Sequence, residues 1–157
     1  MSGYAVSRIR ERAMRVFLCG FGKFSIAIPM SSISSLTLYA RGTSLQNINS
    51  PVEGGEVGYS KTAGEDTYIS LPGLFGLPSE EIRHGINING DKNKIVLLST
   101  EVECETEIPD TEIYPVPKAL DGTLFSSLFS GIKFADNPVF MLNPEQLIQK
   151  FQKETAT

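Results

Sequence analysis

The sequence has few of the residues on which catalytic and metal-binding sites are usually built. Its 157 residues include one histidine, His84, and two cysteines, Cys19 and Cys104, that are far apart in the chain. A structural zinc ion needs four ligands, which these three residues cannot supply without carboxylate help. No CxxC pair is present, and we expect both cysteines to be buried free thiols.

Sequence motifs of the common catalytic sites are also missing. The chain contains no phosphate-binding loop, no dinucleotide-binding glycine motif, no nucleophile elbow and no metalloprotease helix motif. His84 precedes Gly85 at the start of a predicted strand, and no neighbouring residue would orient it as a general base. We therefore predict that the protein is not an enzyme, has no catalytic residue and needs no metal or cofactor.

The charge balance is mildly acidic, with a net charge of −4. A nucleic-acid-binding protein needs a basic surface, so we predict no nucleic-acid partner. No run approaches the ~18 apolar residues of a membrane span, so we expect no membrane insertion and a cytoplasmic location. Basic residues before a short apolar run are similar to a signal peptide, but this run has no cleavage site. Residues 1–13 are therefore predicted to form a flexible basic tail. The tail contains Arg8, Arg10 and Arg12, and Arg15 follows it.

Short alternating segments separated by glycine and proline predict an all-β fold. Residues 41–66 contain many turn-forming residues, and only one or two short strands around 55–60 are expected there. Asn143 before Pro144 is typical of a helix N-cap followed by the first helical position, which predicts a closing helix over 144–153. The pattern elsewhere predicts a hairpin over 17–29, strands at 35–40, 67–71, 83–89 and 94–98, and a hairpin over 129–142.

The sharpest pattern is an alternation of four glutamates that ends at Pro109. A period of two places all four carboxylates on one face of an extended strand. Such a face is commonly solvated and discourages edge-to-edge aggregation. Two other interpretations stay open: the face contacts a basic protein partner, or carboxylates ~7 Å apart hold a divalent cation. The four residues are Glu101, Glu103, Glu105 and Glu107.

The order of these segments resembles the CheW-like domains, the coupling proteins that join chemoreceptors to the histidine kinase CheA in bacterial chemotaxis. The similarity runs from about Val16 to Phe151. The segments that carry it are the opening hairpin over 16–29, the spaced pair Ile33 and Leu36, the strand and turn over 68–76, the strand pair over 95–108, the trailing IYPVP over 113–117, and the ending over 131–147.

The resemblance implies two five-stranded, SH3-like barrels packed side by side, with a C-terminal helix and no active site. Residues 14–157 would form this domain, with barrel one mainly from 14–40 and 110–143, barrel two mainly from 41–109, and the helix over 144–153. It also implies a non-catalytic adaptor. Its partners would be the regulatory domain of a CheA-type histidine kinase and the cytoplasmic helices of chemoreceptors, which bind in a groove between the barrels.

The chain departs from the family at the groove. The family's NLRG turn falls here on Ser60-Lys61-Thr62-Ala63, so its receptor-contacting arginine is replaced by Thr62, or by Lys61 if the register shifts by one. A second hypothesis is therefore a CheW-fold binding module with a changed partner, and a third is a metal-dependent enzyme that uses the glutamates. The candidate groove residues are Ile33, Lys61, Thr62 and Tyr68, and the candidate acidic binding face is Glu101, Glu103, Glu105 and Glu107.

Overall fold

A computed structural model describes residues 12–21, 24–45, 48, 60–63, 66–74, 81–89, 94–99, 101, 104–120 and 122–152. Within these residues the chain forms ten strands and three short α-helices. The strands are β1 (Ala13–Phe21), β2 (Phe24–Pro29), β3 (Ile33–Leu38), β4 (Ser60–Ala63), β5 (Asp66–Ser70), β6 (His84–Asn89), β7 (Lys94–Ser99), β8 (Glu105–Pro109), β9 (Phe129–Lys133) and β10 (Val139–Leu142). The helices are α1 (Leu71–Leu74), α2 (Leu124–Leu128) and α3 (Pro144–Gln152), and 3-10 turns lie at Met30–Ser32, Asp110–Glu112 and Lys118–Leu120.

The strands form two five-stranded sheets with the same pattern of pairing. Sheet one has the order β8-β1-β2-β10-β9, and sheet two has the order β3-β6-β7-β5-β4. In each sheet the successive pairs are antiparallel, antiparallel, parallel and antiparallel. The predicted all-β fold of two five-stranded units with a C-terminal helix is confirmed.

The two sheets also share one chain topology. The strands of sheet one, taken in the order β8, β9, β10, β1 and β2, correspond one for one to β3 through β7 of sheet two. Sheet two is thus inserted into sheet one between β2 and β8. In this correspondence β3 and β8 are equivalent edge strands, and the hairpins β1–β2 and β6–β7 are equivalent central pairs.

The predicted division of the chain between the barrels is wrong for two strands. β3 belongs to sheet two, because Pro29 ends β2 and the 3-10 turn at Met30–Ser32 carries the chain across to pair with β6. β8 belongs to sheet one, where it pairs antiparallel with β1. At the amino end, Ala13 already belongs to β1, while residues 1–11 of the predicted tail lie outside the described residues.

The central strands are buried on both faces, because each sheet packs against the other and also has a core of its own. In β7, Ile95 and Leu97 enter the core between the two sheets, while Val96 and Leu98 enter the separate core of sheet two. A single strand thus supplies two cores in alternation. This double burial explains why the sequence there is a continuous apolar run.

In the described residues, one bridge between the chain after β8 and strand β9 closes sheet one. Tyr114 N donates to Ile132 O and Ile132 N donates to Tyr114 O, each at 2.8 Å. Gly131 makes this approach possible, because a Cβ there would lie 2.6 Å from Ile113 Cγ2 and 2.9 Å from Tyr114 O. The bridge joins the two edges of the sheet and gives it the form of a barrel.

Helix α3 closes the inter-sheet core as the N-cap pattern predicts. Asn143 Oδ1 accepts hydrogen bonds from Glu145 N at 3.1 Å and Gln146 N at 3.3 Å. Leu147 and Phe151 are buried in the core between the sheets. Among the described residues, none of the helices has the length and hydropathy needed to span a bilayer.

Candidate docking surface

Within the described part of sheet two, the large apolar side chains that are exposed lie on strand β3. It lies at one end of the strand order, and β6 is its pairing partner in the described part of the chain. Leucine is usually a core residue, yet 53% of Leu36 and 71% of Leu38 is exposed. Two exposed leucines on one short edge strand are the kind of apolar patch that marks an interaction surface.

A β-bulge places these leucines on the same face as Ile33. Ile33 pairs with Ile88, whereas the next pair is Ser35 with Asn87, so one residue of β3 is extra. In a regular strand, the period of two would put Leu36 and Leu38 on the face opposite to Ile33. We call the three residues that share this face the apolar strip: Ile33, Leu36 and Leu38.

The apolar strip continues the core that lies between the two sheets. Residues directly opposite in a sheet share a face, and Leu36 lies opposite Ile86 while Ile33 lies opposite Ile88. Both isoleucines of β6 are buried in the inter-sheet core, and Ile33 packs against it. The strip therefore leads from that core out to solvent at the edge of sheet two.

The opposite face of β3 is polar and fixes the orientation of the strand. Asn87 on β6 is buried, and its Nδ2 donates to Ser35 Oγ at 2.8 Å and to Thr37 Oγ1 at 3.0 Å. A rotated β3 would leave this buried amide unpaired, at a cost of about 1–3 kcal/mol. Ser35 and Thr37 of β3 thus satisfy a buried amide, while Leu36 and Leu38 of the same strand are exposed on its other face.

Tyr39 anchors the end of β3. Its N–H donates to Arg83 O at 2.8 Å, and its ring packs against the core of sheet two. Burial raises the pKa of the Tyr39 hydroxyl, the charges of Tyr68 and Asp66 raise it further, and a hydrogen bond from Thr37 lowers it in part. The side chain is therefore a neutral phenol at physiological pH, and the anchor carries no charge.

The structure does not bring the four predicted groove residues together. Ile33 lies in the apolar strip, whereas Lys61 and Thr62 lie on β4, at the other end of the strand order from β3. Tyr68 is 5% exposed and packs in the core of sheet two, so the expectation that it contacts a partner is wrong. The roles predicted for Lys61 and Thr62 remain predictions.

The four glutamates do not form one continuous ladder. β7 ends at Ser99, whose Oγ donates to the carbonyl of Glu101 at 2.8 Å, and β8 begins only at Glu105. Glu105 and Glu107 are exposed on β8, and Arg15 of β1 forms an ion pair with Glu105. Glu101 is exposed after β7, and Glu103 lies outside the described residues. Of the three glutamates in the described residues, Glu105 and Glu107 share a strand face, and Glu101 does not belong to that strand.

The remaining chemistry-bearing residues are scattered. In the described ranges, no group of three or more His, Cys, Asp or Glu side chains is placed to hold a metal ion. Cys19 is buried as expected, but Cys104 is exposed. Its prediction as a buried thiol is therefore wrong: the residue directly precedes the edge strand β8, and its carbonyl accepts from Leu18 N at 2.9 Å.

Sheet one exposes an aromatic pair beside its closing bridge. The rings of Tyr114 and Phe134 have centroids 5.6 Å apart at 60°, and 55% and 63% of these residues is exposed. Lys133 Nζ lies 3.1 Å from Glu112 Oε1 next to the pair. Aromatic residues are enriched in protein interfaces, so this exposed pair is a second candidate contact surface.

The sequence pattern alone does not identify the exposed leucines. Ile33 and Leu36 stand out only as a spaced aliphatic pair, and Leu38 has the alternation expected of a half-buried strand. The available signal is the Ser34-Ser35 pair, which marks the bulge where one small residue is extra. Exposure itself depends on the position of β3 at the sheet edge, which is a property of the tertiary fold.

The fold is that of the CheW scaffold. The structure is similar to that of scaffolding protein TtCheW from Thermoanaerobacter tengcongensis, with a TM-score of 0.63 and 11% sequence identity. The likeness covers 84% of this chain and 90% of the TtCheW chain. No family model and no curated protein sequence matches the chain. The chain therefore has a divergent CheW-like fold, and the predicted resemblance is confirmed at the level of structure.

Proposed function

We propose that the chain is a non-catalytic adaptor that couples chemoreceptors to a CheA-type histidine kinase and acts in the cytoplasm. The likeness to TtCheW, which is named as a scaffolding protein, supports this role because it extends over most of both chains. The proposed partners are the regulatory domain of the kinase and the cytoplasmic helices of the receptors.

The apolar strip is the observation that carries the proposal. A scaffold needs exposed surface that stays available after folding, and Leu36 and Leu38 provide it at the edge of the inter-sheet core. From Ile33 to Leu38 the strip extends roughly 16 Å, which matches about three turns of an α-helix. A receptor helix with apolar residues at every third or fourth position would pack along it.

The aromatic pair on sheet one is the proposed surface for the kinase domain. Tyr114 and Phe134 lie beside the closing bridge of sheet one, on a different sheet from the apolar strip. Two separate surfaces would allow the adaptor to hold both partners at once. Buried aromatic side chains commonly supply a large part of the binding energy of such contacts.

Separate titrations with each partner test this assignment. We expect Leu38→Lys to weaken binding of a receptor cytoplasmic fragment about 10–100-fold, since burying a leucine contributes about 1.5–3 kcal/mol. Binding of the kinase domain should change little in that variant, and Phe134→Ala should show the reverse pattern. Lys150→Gln, at an exposed position on α3 outside both proposed surfaces, is the control for both titrations.

An adaptor must bind both of its partners without any substitution. Wild type should bind both partners at concentrations near ~10 μM. If neither the kinase domain nor the receptor fragment binds at that concentration, the adaptor role is wrong. If both variants weaken both partners equally, the assignment of separate surfaces is wrong although the adaptor role stands.

The replaced arginine favours a second candidate function, a CheW-fold binding module with a changed partner. The place of the family's receptor-contacting arginine is taken by Thr62 or Lys61. Thr62→Arg discriminates between the two functions. A gain from no receptor binding in wild type to measurable binding in this variant would favour the changed partner, whereas normal binding by wild type removes the reason for it.

A further inference from the structure

β3 differs from the other edge strands of the two sheets in carrying no charged residue. The edges in the described part of the sheets are β3, β4, β8 and β9. β4 contains Lys61, β9 contains Lys133, and β8 contains Glu105 and Glu107. Proteins usually protect sheet edges with charges of this kind, because an unprotected edge pairs with another strand. β3 lacks that protection along its whole length, Ile33–Leu38.

The backbone groups of β3 that point away from β6 belong to the two leucines. Tyr39 N donates to the carbonyl of Arg83, the residue before β6, so the N–H of Tyr39 points toward the β6 side of the strand. Antiparallel strands alternate, so Thr37 opposite Gly85 also bonds toward β6, whereas the N–H and C=O groups of Leu36 and Leu38 point away from it. The exposed leucine side chains and the outward backbone groups therefore belong to the same two residues.

We propose that β3 pairs antiparallel with β3 of a second copy of this chain. If Leu36 of one copy lies opposite Leu38 of the other, Thr37 falls on the two-fold axis. Both outward residues then exchange their N–H and C=O groups across the axis, which gives four hydrogen bonds. The leucines lie opposite each other on one face, and the two five-stranded sheets become one sheet of ten strands.

Charge supports a second copy as the occupant of this edge. An uncharged strand can lie beside its own copy without repulsion, whereas two copies of β8 would bring four glutamates together. The pairing also covers Leu36 and Leu38, so the dimer and a complex at the apolar strip would exclude each other. The dimer itself needs no partner protein, and its test is independent of the proposed adaptor role.

Substitutions at Leu38 separate edge pairing from contact through the leucine side chain alone. Leu38→Pro removes an N–H that points outward, so it blocks the free edge but leaves the bonds to β6 in place. Leu38→Ala removes the same side chain and keeps the N–H. Leu36→Glu adds a charge to the edge, and Glu107→Gln is the control on the equivalent strand β8.

Sedimentation velocity of the full chain from ~10 μM to ~1 mM measures the outcome. We expect wild type and Glu107→Gln to show a concentration-dependent dimer, Leu38→Ala to dimerise at least ~10-fold more weakly, and Leu38→Pro and Leu36→Glu to stay monomeric. Circular dichroism melting of each variant establishes that it is folded. A wild type that is monomeric throughout, or a dimer that persists in folded Leu38→Pro and Leu36→Glu, overturns the proposal.

Amide hydrogen exchange gives a second readout that needs no variant. In the dimer the amides of Leu36 and Leu38 become more protected as protein concentration rises, while that of Thr37, already bonded to β6, stays the same. We expect at least ~10-fold slower exchange at the two leucines near ~1 mM than near ~10 μM. Equal exchange at both concentrations overturns the pairing even if some other dimer forms.

Discussion

The equivalent edge strands of the two sheets, β3 and β8, share a position and an orientation but differ in chemistry. Leu18 N donates to Cys104 O, so by alternation the backbone groups of Glu105 and Glu107 point outward, as those of Leu36 and Leu38 do in β3. One edge is apolar and the other is acidic. A shared topology thus fixes where an exposed edge lies and leaves its chemistry open.

The side chains of the two strands correspond as well. Glu105 lies opposite Phe17, which packs against the inter-sheet core, just as Leu36 lies opposite Ile86. Both edges therefore border the same core. The acidic edge is protected against pairing, whereas the apolar edge is available to a partner. Because the fold alone does not demand exposed leucines at this position, their presence in β3 favours a binding role.

The largest expected loss of stability comes from truncating a buried residue of β8. Truncating an exposed leucine of β3 should cost far less if that leucine serves binding and not the fold. Ile108 of β8 is 2% exposed and packs in the core of sheet one, so Ile108→Ala should lower the free energy of unfolding by about 2–5 kcal/mol. Leu38→Ala in β3 should lower it by less than about 0.5 kcal/mol, because most of that side chain is already exposed. Urea unfolding measures both. An equal loss in the two variants would mean that Leu38 serves the fold.

Replacing one glycine in each sheet with alanine should give the next largest loss of stability. Gly131→Ala places a Cβ 2.9 Å from the backbone oxygen of Tyr114, and since backbone cannot easily move, we expect a loss of about 1–3 kcal/mol. Gly85→Ala in sheet two meets the end of the Tyr39 ring at 2.8 Å and Val96 Cγ1 at 3.0 Å, and because these are side-chain atoms we expect a smaller loss.

Thermal or urea unfolding of both alanine variants checks this order. Combining Gly85→Ala with Tyr39→Ala should remove most of the clash, so the double variant should lose less than the sum of the two single losses. No such relief is expected for Gly131→Ala, whose clash is with backbone. A larger loss for Gly85→Ala than for Gly131→Ala would contradict the view that the closing bridge is the more rigid contact.

The sequence predicts the central parts of this fold better than its edges. The hairpins β1–β2 and β9–β10 and helix α3 follow from local signals, namely alternation, turn residues and the Asn143 cap. The assignment of β3 and β8 to their sheets has no local signal, because it depends on long-range pairing. A strand that ends at proline does not reveal which sheet the chain enters next.

The candidate site is predicted less completely for the same reason. Ile33 follows from the family resemblance, but the exposure of Leu38 requires the sheet order and the bulge. Tyr68 is misassigned because an aromatic residue in an alternating strand has the same pattern whether it faces a core or a partner. The glutamate ladder is misassigned because a period of two continues through the break between β7 and β8.

The stability of the protein at alkaline pH should depend on Tyr39, which anchors the end of β3. The pKa of Tyr39 is higher in the folded protein than its usual value of 10.0, so its contribution to stability is complete below pH 10 and is lost as pH rises through the folded pKa. Tyr39→Phe should therefore weaken the decline of stability above pH 10. Urea unfolding of wild type and Tyr39→Phe at pH 8, 10 and 11 measures this decline. If stability falls equally in both proteins, the buried Tyr39 hydroxyl is not the cause of the decline.

The smallest expected change in stability comes from converting the acidic edge strand β8 into an apolar one. Replacing Glu105 and Glu107 together with leucine removes an exposed ion pair to Arg15, which is worth about 0–1 kcal/mol. In a chain made monomeric by Leu38→Pro, we expect this double replacement to restore concentration-dependent association through β8, since the charges that protect that edge are gone. Sedimentation velocity at ~10 μM and ~1 mM measures it. If the folded triple variant stays monomeric, charge is not what separates the two edges, and the shape or twist of β8 must keep it unpaired.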